Sequence, residues 1–341
     1  MSADGNILTE LARGAYESRA DLFTVIPPEC FYGIAGLFTA EKERTLLLLP
    51  GAFAVRDGYA DVSQRFGGLY AAAEKGEVLA ADIRLAGNDE FRAYIREQGF
   101  RHILVPFAEL ASPYEYGYRS SYAWIGEMRA EMPPGCRITA LFSFPQEDYT
   151  SFCKSFGCAE CTVADLSAKA DIQVFAASDI RDKLREIVSF TEKHIGRTAV
   201  IFTDRREAEE ALRYFRKRGI RTLCIHGACS TSELSESLAR FSGGGYLLIA
   251  TKSVIPSVLF FRADRVIYAG VPYSRAFAAR CAAFSSSGEI NCIFSPADIE
   301  TDRKIIAHFA DRMDSIDAER FLQKASDELL KIKKILYDDT D

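Results

Sequence analysis

The sequence predicts an α/β protein made of two lobes, each built around a parallel β-sheet. Short apolar runs rich in β-branched residues alternate with segments of helical period, and this pattern is typical of a parallel sheet covered on both faces. The chain of 341 residues is also long enough for two domains that each bury a full hydrophobic core.

The alternation is clearest in the second half of the chain. A helix-period segment over 179–194 stops at Gly196, and the apolar strand 198–202 follows it. Thr203 and Asp204 then offer N-cap side chains to a helix over 205–218, which ends at Gly219. The next predicted elements are a strand at 222–226, a helix at 230–241, and strands at 246–251, 265–268 and 291–294.

The first half repeats this pattern less regularly. Its predicted strands lie at 45–49, 78–80, 102–105 and 137–142, with helices between them and a further helix over 149–156. The lobe boundary is expected within 167–178, so the predicted lobes are residues 1–170 and 171–312. Residues 313–341 are predicted to form a C-terminal helix and an acidic tail, because apolar residues repeat at heptad-like spacing at Leu322, Ala325, Leu329, Ile332 and Leu336.

Composition and charge restrict the class of protein. No apolar run approaches the roughly 20 residues that span a bilayer, and no secretion signal is recognised, so we expect a cytoplasmic protein without membrane contact. Its nine cysteines are then expected to be reduced. The net charge of −6 argues against a protein that coats DNA through electrostatics alone, although a local basic stripe can still bind nucleic acid.

Three blocks in the second half carry a resemblance to a known family. The blocks AVIFTDRREAEEALRYFRKRGIRTLCIHG, LLIATKSVIPSVLFFRADRVIYAGVPYS and NCIFSPADIETDRKII resemble the second RecA-like lobe of RecQ-type superfamily 2 DNA helicases. The resemblance implies two RecA-like lobes. It aligns Arg205 with the arginine of motif IV, His226 with the segment that follows, and Thr251 with the start of motif V. These three residues are therefore candidates for nucleic-acid binding.

The phosphate-binding motif of that family is altered here. The stretch TLLLLPGAFAVRD resembles the strand and loop that carry it, and Pro50 and Gly51 remain. The other glycines, which let backbone N–H groups wrap the phosphates, and the lysine that reaches them are missing. Val55 adds bulk where phosphate would bind, and Arg56 lies one place beyond the lysine position.

The acidic box and motif VI are also altered. The box is Pro106-Phe107-Ala108-Glu109, so a proline and a phenylalanine replace the two carboxylates that would hold Mg²⁺ and orient water. The motif VI stretch AARCAAFSSSGEI lacks the two arginines of the family, and motif III is shortened to Phe142-Ser143-Phe144. The resemblance thus implies no catalytic residue, no cofactor and no metal. The degenerate nucleotide site comprises Pro50, Gly51, Val55, Arg56, Pro106, Phe107 and Glu109.

For three other groups of residues, the sequence allows more than one interpretation. An aromatic-rich loop with Tyr114, Tyr116 and Arg119 either stacks on bases or packs between the lobes. The arginines and lysine between 205 and 221 form either a nucleic-acid track or a solvated helix face paired with neighbouring glutamates. The spacing of the cysteines at 153, 158 and 161, with Cys136 as a fourth, is seen in some iron–sulfur sites, but burial of the first in a helix is the stronger expectation.

The favoured hypothesis is a RecQ-related pseudo-helicase that binds DNA or a protein partner and does not turn over ATP. The first alternative is an active, divergent 3′ to 5′ DNA helicase that uses ATP and Mg²⁺, with Arg56 and Glu109 as displaced substitutes. The second alternative is a protein-interaction scaffold that binds no nucleic acid and presents its C-terminal helix to a partner.

Overall fold

The computed structural model describes residues 20–26, 31, 44–58, 62–72, 77–112, 120–146, 148–165, 171–192, 196–255, 262–271, 281–282 and 284–310, with 319, 322, 323 and 327. The chain divides into two compact units between residues 168 and 169. Each unit contains one largely parallel β-sheet, so the predicted α/β class with two parallel-sheet lobes is confirmed. Over the described residues, no helix has the length and apolar character needed to cross a membrane.

Within the described residues, the sheet of the first unit has eight strands. They are β1 (Asp21–Val25), β2 (Thr45–Leu49), β3 (Ser63–Arg65), β4 (Gly68–Ala72), β5 (Val78–Asp82), β6 (His102–Pro106), β7 (Arg137–Phe142) and β8 (Cys161–Asp165). Their order is β3-β4-β5-β2-β6-β7-β1-β8. Only the β3–β4 and β4–β5 pairs are antiparallel. The carboxyl ends of the neighbouring strands β5, β2, β6 and β7 therefore lie at one edge of the sheet.

Four helices accompany this sheet within the described residues. They are α1 (Ala52–Gly58), α2 (Asp89–Glu97), α3 (Trp124–Ala130) and α4 (Thr150–Phe156). Helix α2 begins at Asn88, whose side chain accepts a hydrogen bond from the backbone N–H of Phe91. Gly126 allows α3 to approach α4 closely, because a Cβ atom at this position would lie 2.6 Å from the carbonyl oxygen of Ser155.

The second unit contains a six-stranded, fully parallel sheet. Its strands are β9 (Asp171–Ala176), β10 (Thr198–Phe202), β11 (Thr222–Ile225), β12 (Leu247–Thr251), β13 (Arg265–Ala269) and β14 (Glu289–Phe294), in the order β11-β12-β10-β13-β14-β9. Its helices are α5 (Ile180–Glu192), α6 (Arg205–Lys217), α7 (Thr231–Ser242) and α8 (Pro296–Ala310). The core between the sheet and helices α5 and α6 includes Ile187, Val200, Phe215 and Ile267.

The sequence-based elements agree with the structure for the buried strands and the capped helices. Asp204 caps α6 by accepting from the N–H of Glu207, and Ser230 and Glu233 form a reciprocal capping box at α7. The division between residues 168 and 169 falls inside the range 167–178 expected for the boundary, and β9 at 171–176 belongs to the second unit, where it pairs with β14. Strands β1 and β8 and the β3–β4 hairpin were not predicted. The predicted C-terminal helix lies almost entirely outside the described residues.

Candidate functional site

The residues expected to form a phosphate loop follow β2 at the carboxyl edge of the first sheet. Pro50 and Gly51 form a bend, and α1 begins at Ala52. The backbone N–H of Val55 donates to the carbonyl oxygen of Gly51 at 3.4 Å, and the Val55 side chain is fully buried. Arg56 is exposed in the last turn of α1. The N–H of Val55 is thus committed to the helix rather than available to a phosphate.

The degenerate acidic box follows β6, the neighbour of β2. Pro106 is the last residue of β6, and Phe107 adopts a left-handed conformation with φ of 52°, which is uncommon for a residue other than glycine. The Phe107 ring is fully buried and packs edge-to-face against Phe31, with 4.9 Å between the ring centroids. Tyr122 donates its hydroxyl proton to the Pro106 carbonyl at 3.1 Å. Apolar packing therefore occupies the positions of Pro106 and Phe107.

Glu109 keeps a carboxylate in the box, but the structure directs it toward the following strand. Its side chain is fully buried and accepts a hydrogen bond from the Ser143 hydroxyl. The backbone N–H of Ser143 lies 3.4 Å from the other carboxylate oxygen. Ser143 comes directly after β7, the neighbour of β6. Glu109 thus links the turn after β6 to the residue that follows β7.

Three candidate nucleic-acid residues follow neighbouring strands of the second sheet. Arg205 comes after β10, His226 after β11 and Thr251 ends β12, so all three lie at the same carboxyl edge. The Thr251 hydroxyl lies 3.1 Å from that of Ser253, and the N–H of Ala228 donates to His226 Nδ1 at 3.3 Å. Tyr114, Tyr116 and Arg119, the other candidates, lie outside the described residues.

The basic concentration between 205 and 221 divides into two parts. At the start of α6, Arg205 pairs with Glu209 at 2.6 Å and Arg206 with Glu210 at 3.3 Å. The interpretation as a solvated helix face with i,i+4 pairs therefore holds for these two arginines. Across the part of the chain that the structure describes, no ion pair is formed by the basic residues at the other end, which are Arg216, Lys217, Arg218 and Arg221.

Of these four residues, Arg221 lies near Tyr246, a tyrosine that is flanked by two arginines. The guanidinium carbon of Arg240 is 4.8 Å from the Tyr246 ring centroid, and that of Arg221 is 5.2 Å from it. Arg240 also donates to the Tyr246 hydroxyl at 3.0 Å, which lowers the pKa of this phenol. Glu236, 3.6 Å from Arg240, is the carboxylate nearby. We call Arg221, Arg240 and Tyr246 the Arg/Tyr surface.

The Arg/Tyr surface lies at the edge opposite to the three candidate residues. Arg221 immediately precedes β11 and Tyr246 immediately precedes β12, so both lie at the amino ends of neighbouring parallel strands. Sequence analysis missed Arg240 and Tyr246 because they are distant in the chain from the cluster in α6. Only the pairing of β11 with β12 brings them together.

The cysteines with iron–sulfur-like spacing do not converge. Cys158 lies against Arg129, whose guanidinium is 3.0 Å from its sulfur, whereas Cys153 and Cys161 face each other. In the described ranges, no group of three or more His, Cys, Asp or Glu side chains is arranged to hold a metal ion.

Comparisons with known proteins agree with this architecture. Residues 179–283 match the family model described as "Helicase conserved C-terminal domain". The DUF1998 helicase MrfA, solved with DNA and AMPPNP, is similar over 94% of this chain and 54% of its own, with 12% identity and a TM-score of 0.63. The Mycobacterium smegmatis helicase Lhr, solved with ssDNA and AMP-PNP, is similar over 93% of this chain and 48% of its own, with 14% identity and a TM-score of 0.59.

The chain thus spans about half the length of these solved helicases. No curated protein matches it in sequence. At these identities the likeness concerns the fold, and the chain has the two-lobed α/β fold of these helicase structures.

Proposed function

We propose that the chain is a pseudo-helicase, built on the RecQ-type plan, that binds DNA and does not turn over ATP. The observation that supports this function is the filling of the nucleotide edge of the first sheet. A helicase needs free backbone N–H groups, a lysine and two carboxylates there. In this chain the equivalent positions hold the buried side chains of Val55 and Phe107, and Pro106 ends the strand.

ATP and Mg²⁺, which the helicase fold implies, do not fit these residues. The N–H of Val55 is used by Gly51, and Arg56 is exposed in the last turn of α1. Both carboxylate oxygens of Glu109 lie within hydrogen-bonding distance of Ser143. An active divergent helicase would need Arg56 and Glu109 as substitutes for the missing residues. Arg56 is exposed, and the carboxylate of Glu109 is already bound to Ser143, so these residues do not favour that alternative.

DNA binding is supported by the DNA present in the similar helicase structures and by the charges of the second unit. MrfA and Lhr were solved with DNA. The Arg/Tyr surface offers Arg221, which forms no ion pair within the described residues, Arg240, whose carboxylate partner Glu236 lies 3.6 Å away, and the ring of Tyr246. Cations bind phosphates and aromatic rings stack on bases. Arg205 is a weaker candidate, because Glu209 already neutralises its charge.

The experiment is binding of labelled single-stranded and forked DNA to the purified full chain over a series of salt concentrations, with ATP hydrolysis measured in the same samples. We expect affinity that falls steeply with salt and no ATP turnover above that of the DNA alone. DNA-stimulated hydrolysis that Arg56→Ala or Glu109→Gln abolishes would establish the active helicase instead. Absence of DNA binding even at low salt would contradict this proposal and favour the alternative of a protein-interaction scaffold.

A further inference from the structure

Two cysteines of the first unit meet where α4 turns into β8. Gly157 follows the last residue of helix α4, and its left-handed conformation, with φ of 65°, reverses the chain. The N–H of Cys158 donates to the Cys153 carbonyl at 2.8 Å. The short connection returns to the sheet at Cys161, the first residue of β8. The sulfur atoms of Cys153 and Cys161 consequently lie 3.2 Å apart, and both residues are partly exposed.

We infer that Cys153 and Cys161 form a reversible disulfide, so that the turn between α4 and β8 is a thiol–disulfide exchange site. The oxidant is a small disulfide such as oxidised glutathione. This inference does not depend on the proposed function, because it concerns only the first unit and a different chemistry. Both thiols are free in the structure, which therefore represents the reduced form.

The exchange balances without any other reactant. The thiolate of Cys153 attacks one sulfur of oxidised glutathione, which breaks that disulfide and releases one glutathione thiolate. The thiolate of Cys161 then attacks the Cys153 sulfur and releases the second. The protein loses two protons and two electrons in total, and the oxidised glutathione takes them up to become two reduced molecules.

The surroundings of the pair favour a disulfide that is stable once it has formed. Burial and the neighbouring Cys153 thiol raise the pKa of Cys161 to about 12. Disulfides become strong oxidants when the reduced state gains from a stabilised thiolate, and here the thiolate of Cys161 is disfavoured. The same elevated pKa makes the second step slow at neutral pH, because little of the attacking thiolate is present.

Oxidation would tie an outer strand of the sheet to a helix. Strand β8 is the last strand in the sheet order and pairs only with β1 among the described strands. A covalent link from β8 to α4 closes a loop of about nine residues and restricts the unfolded chain. We expect the oxidised protein to unfold at a temperature higher by about 5 °C or more.

The test uses the full chain, reduced and then freed of reductant, in glutathione buffers of increasing oxidised fraction. We expect the intact mass to fall by two hydrogens, two of the nine thiols to disappear, and a Cys153–Cys161 cross-linked peptide that dithiothreitol releases. Cys153→Ser and Cys161→Ser should each prevent the cross-link, with Cys153→Ala and Cys161→Ala as second variants. Cys224→Ser, in the second unit, is the control that should leave it unchanged.

Three results would overturn the inference. The first is nine reactive thiols at every buffer composition. The second is a cross-link that maps to another cysteine such as Cys158. The third is a glutathione adduct on Cys153 that persists without closing onto Cys161. Variants that bind DNA normally but lose the cross-link would show that this site and the proposed function are separate.

Discussion

The Nε2 atom of His102 lies 2.8 Å from the Thr139 hydroxyl, across the start of two central strands of the first sheet. On the other side of the ring, Nδ1 lies 3.3 Å from the Thr45 hydroxyl of β2. The imidazole thus joins three neighbouring strands inside the core. Burial, together with the nearby charge of Arg137, lowers the pKa of His102 to about 3.

This pKa predicts acid sensitivity of the first unit. Below about pH 6.5 the unfolded chain takes up a proton on His102 that the folded protein does not, so stability is lost as pH falls from 6.5 toward 3. The slope is about 1.4 kcal/mol per pH unit at most, or about 2 kcal/mol at pH 5. Urea unfolding of the wild type and His102→Gln at pH 7 and pH 5 measures it. The variant should be less stable at pH 7 and lose less between the two values; equal losses would contradict the prediction.

The second unit contains a buried group of three charges. Lys183, on α5, is 2.7 Å from Asp298 at the start of α8 and also contacts Glu207 in the first turn of α6. Asp298 further accepts from the N–H and hydroxyl of Ser295. Lys183→Met would leave two buried carboxylates without their cation, and we expect a loss of about 3–5 kcal/mol in unfolding free energy.

Chemical denaturation of the Lys183 variant should be compared with Arg185→Ala on the same helix. Arg185 pairs with Asp182 at the surface, where its side chain is 64% exposed, so this control should lose less than about 1 kcal/mol. Adding Glu207→Gln to Lys183→Met should recover part of the lost stability. A Lys183→Met protein as stable as the Arg185 control would mean that the three charges are not coupled.

Glu207 gives the second unit the opposite response to acid. Burial raises the pKa of this carboxyl to about 7, although Lys183 opposes the shift. Between pH 7 and about 4.5 the folded protein therefore holds a proton that the unfolded chain lacks, and stability rises as pH falls. Glu207→Gln should remove this rise, which we expect not to exceed about 1.4 kcal/mol per pH unit. An unchanged pH profile in the variant would contradict the assignment to Glu207.

The Arg/Tyr surface can be tested with matched pairs of charge removals. Arg221→Gln/Arg240→Gln should weaken single-stranded DNA binding about tenfold or more, because both cations face solvent without a strong ion pair. The slope of the logarithm of the binding constant against the logarithm of the salt concentration should become shallower by about two, since two phosphate contacts are lost. Arg205→Gln/Arg206→Gln removes the same charge from residues that already pair with glutamates, and should change affinity less than about threefold. The reverse ranking would assign binding to the carboxyl edge.

The fold could be predicted wherever apolar pattern and local caps coincide. The run at β10 is fully buried, and α6 carries its own N-cap at Asp204. Strands β8 and β9 were not predicted from the sequence, because they are half-exposed edge strands with polar residues and no continuous apolar run. The β3–β4 hairpin was not predicted because its two-residue turn is Phe66-Gly67, with φ of 57° and 78°. The sequence pattern that usually indicates such a turn is Asn-Gly or Asp-Gly.

The site was predictable only where chemistry depends on residue identity. The prediction that Val55, Pro106 and Phe107 replace nucleotide-binding residues comes from the sequence, because a phosphate or metal site requires particular side chains. The contact between Glu109 and Ser143 needs the neighbouring arrangement of β6 and β7. Likewise, Arg221 contacts Tyr246 because β11 pairs with β12, and the spacing of the two residues along the sequence does not predict this pairing.

The pairing of β9 with β14 also bears on how the chain is made. Strand β9 is at the end of the second sheet, and Asp171 is aligned with Glu289, which is 289 − 171 = 118 positions later. During translation β9 must leave the ribosome and wait for most of its unit before its hydrogen-bonding neighbour exists. The polar Asp171 and Gln173 on this strand are suited to that interval, since charged and polar edge residues discourage pairing with other nascent chains.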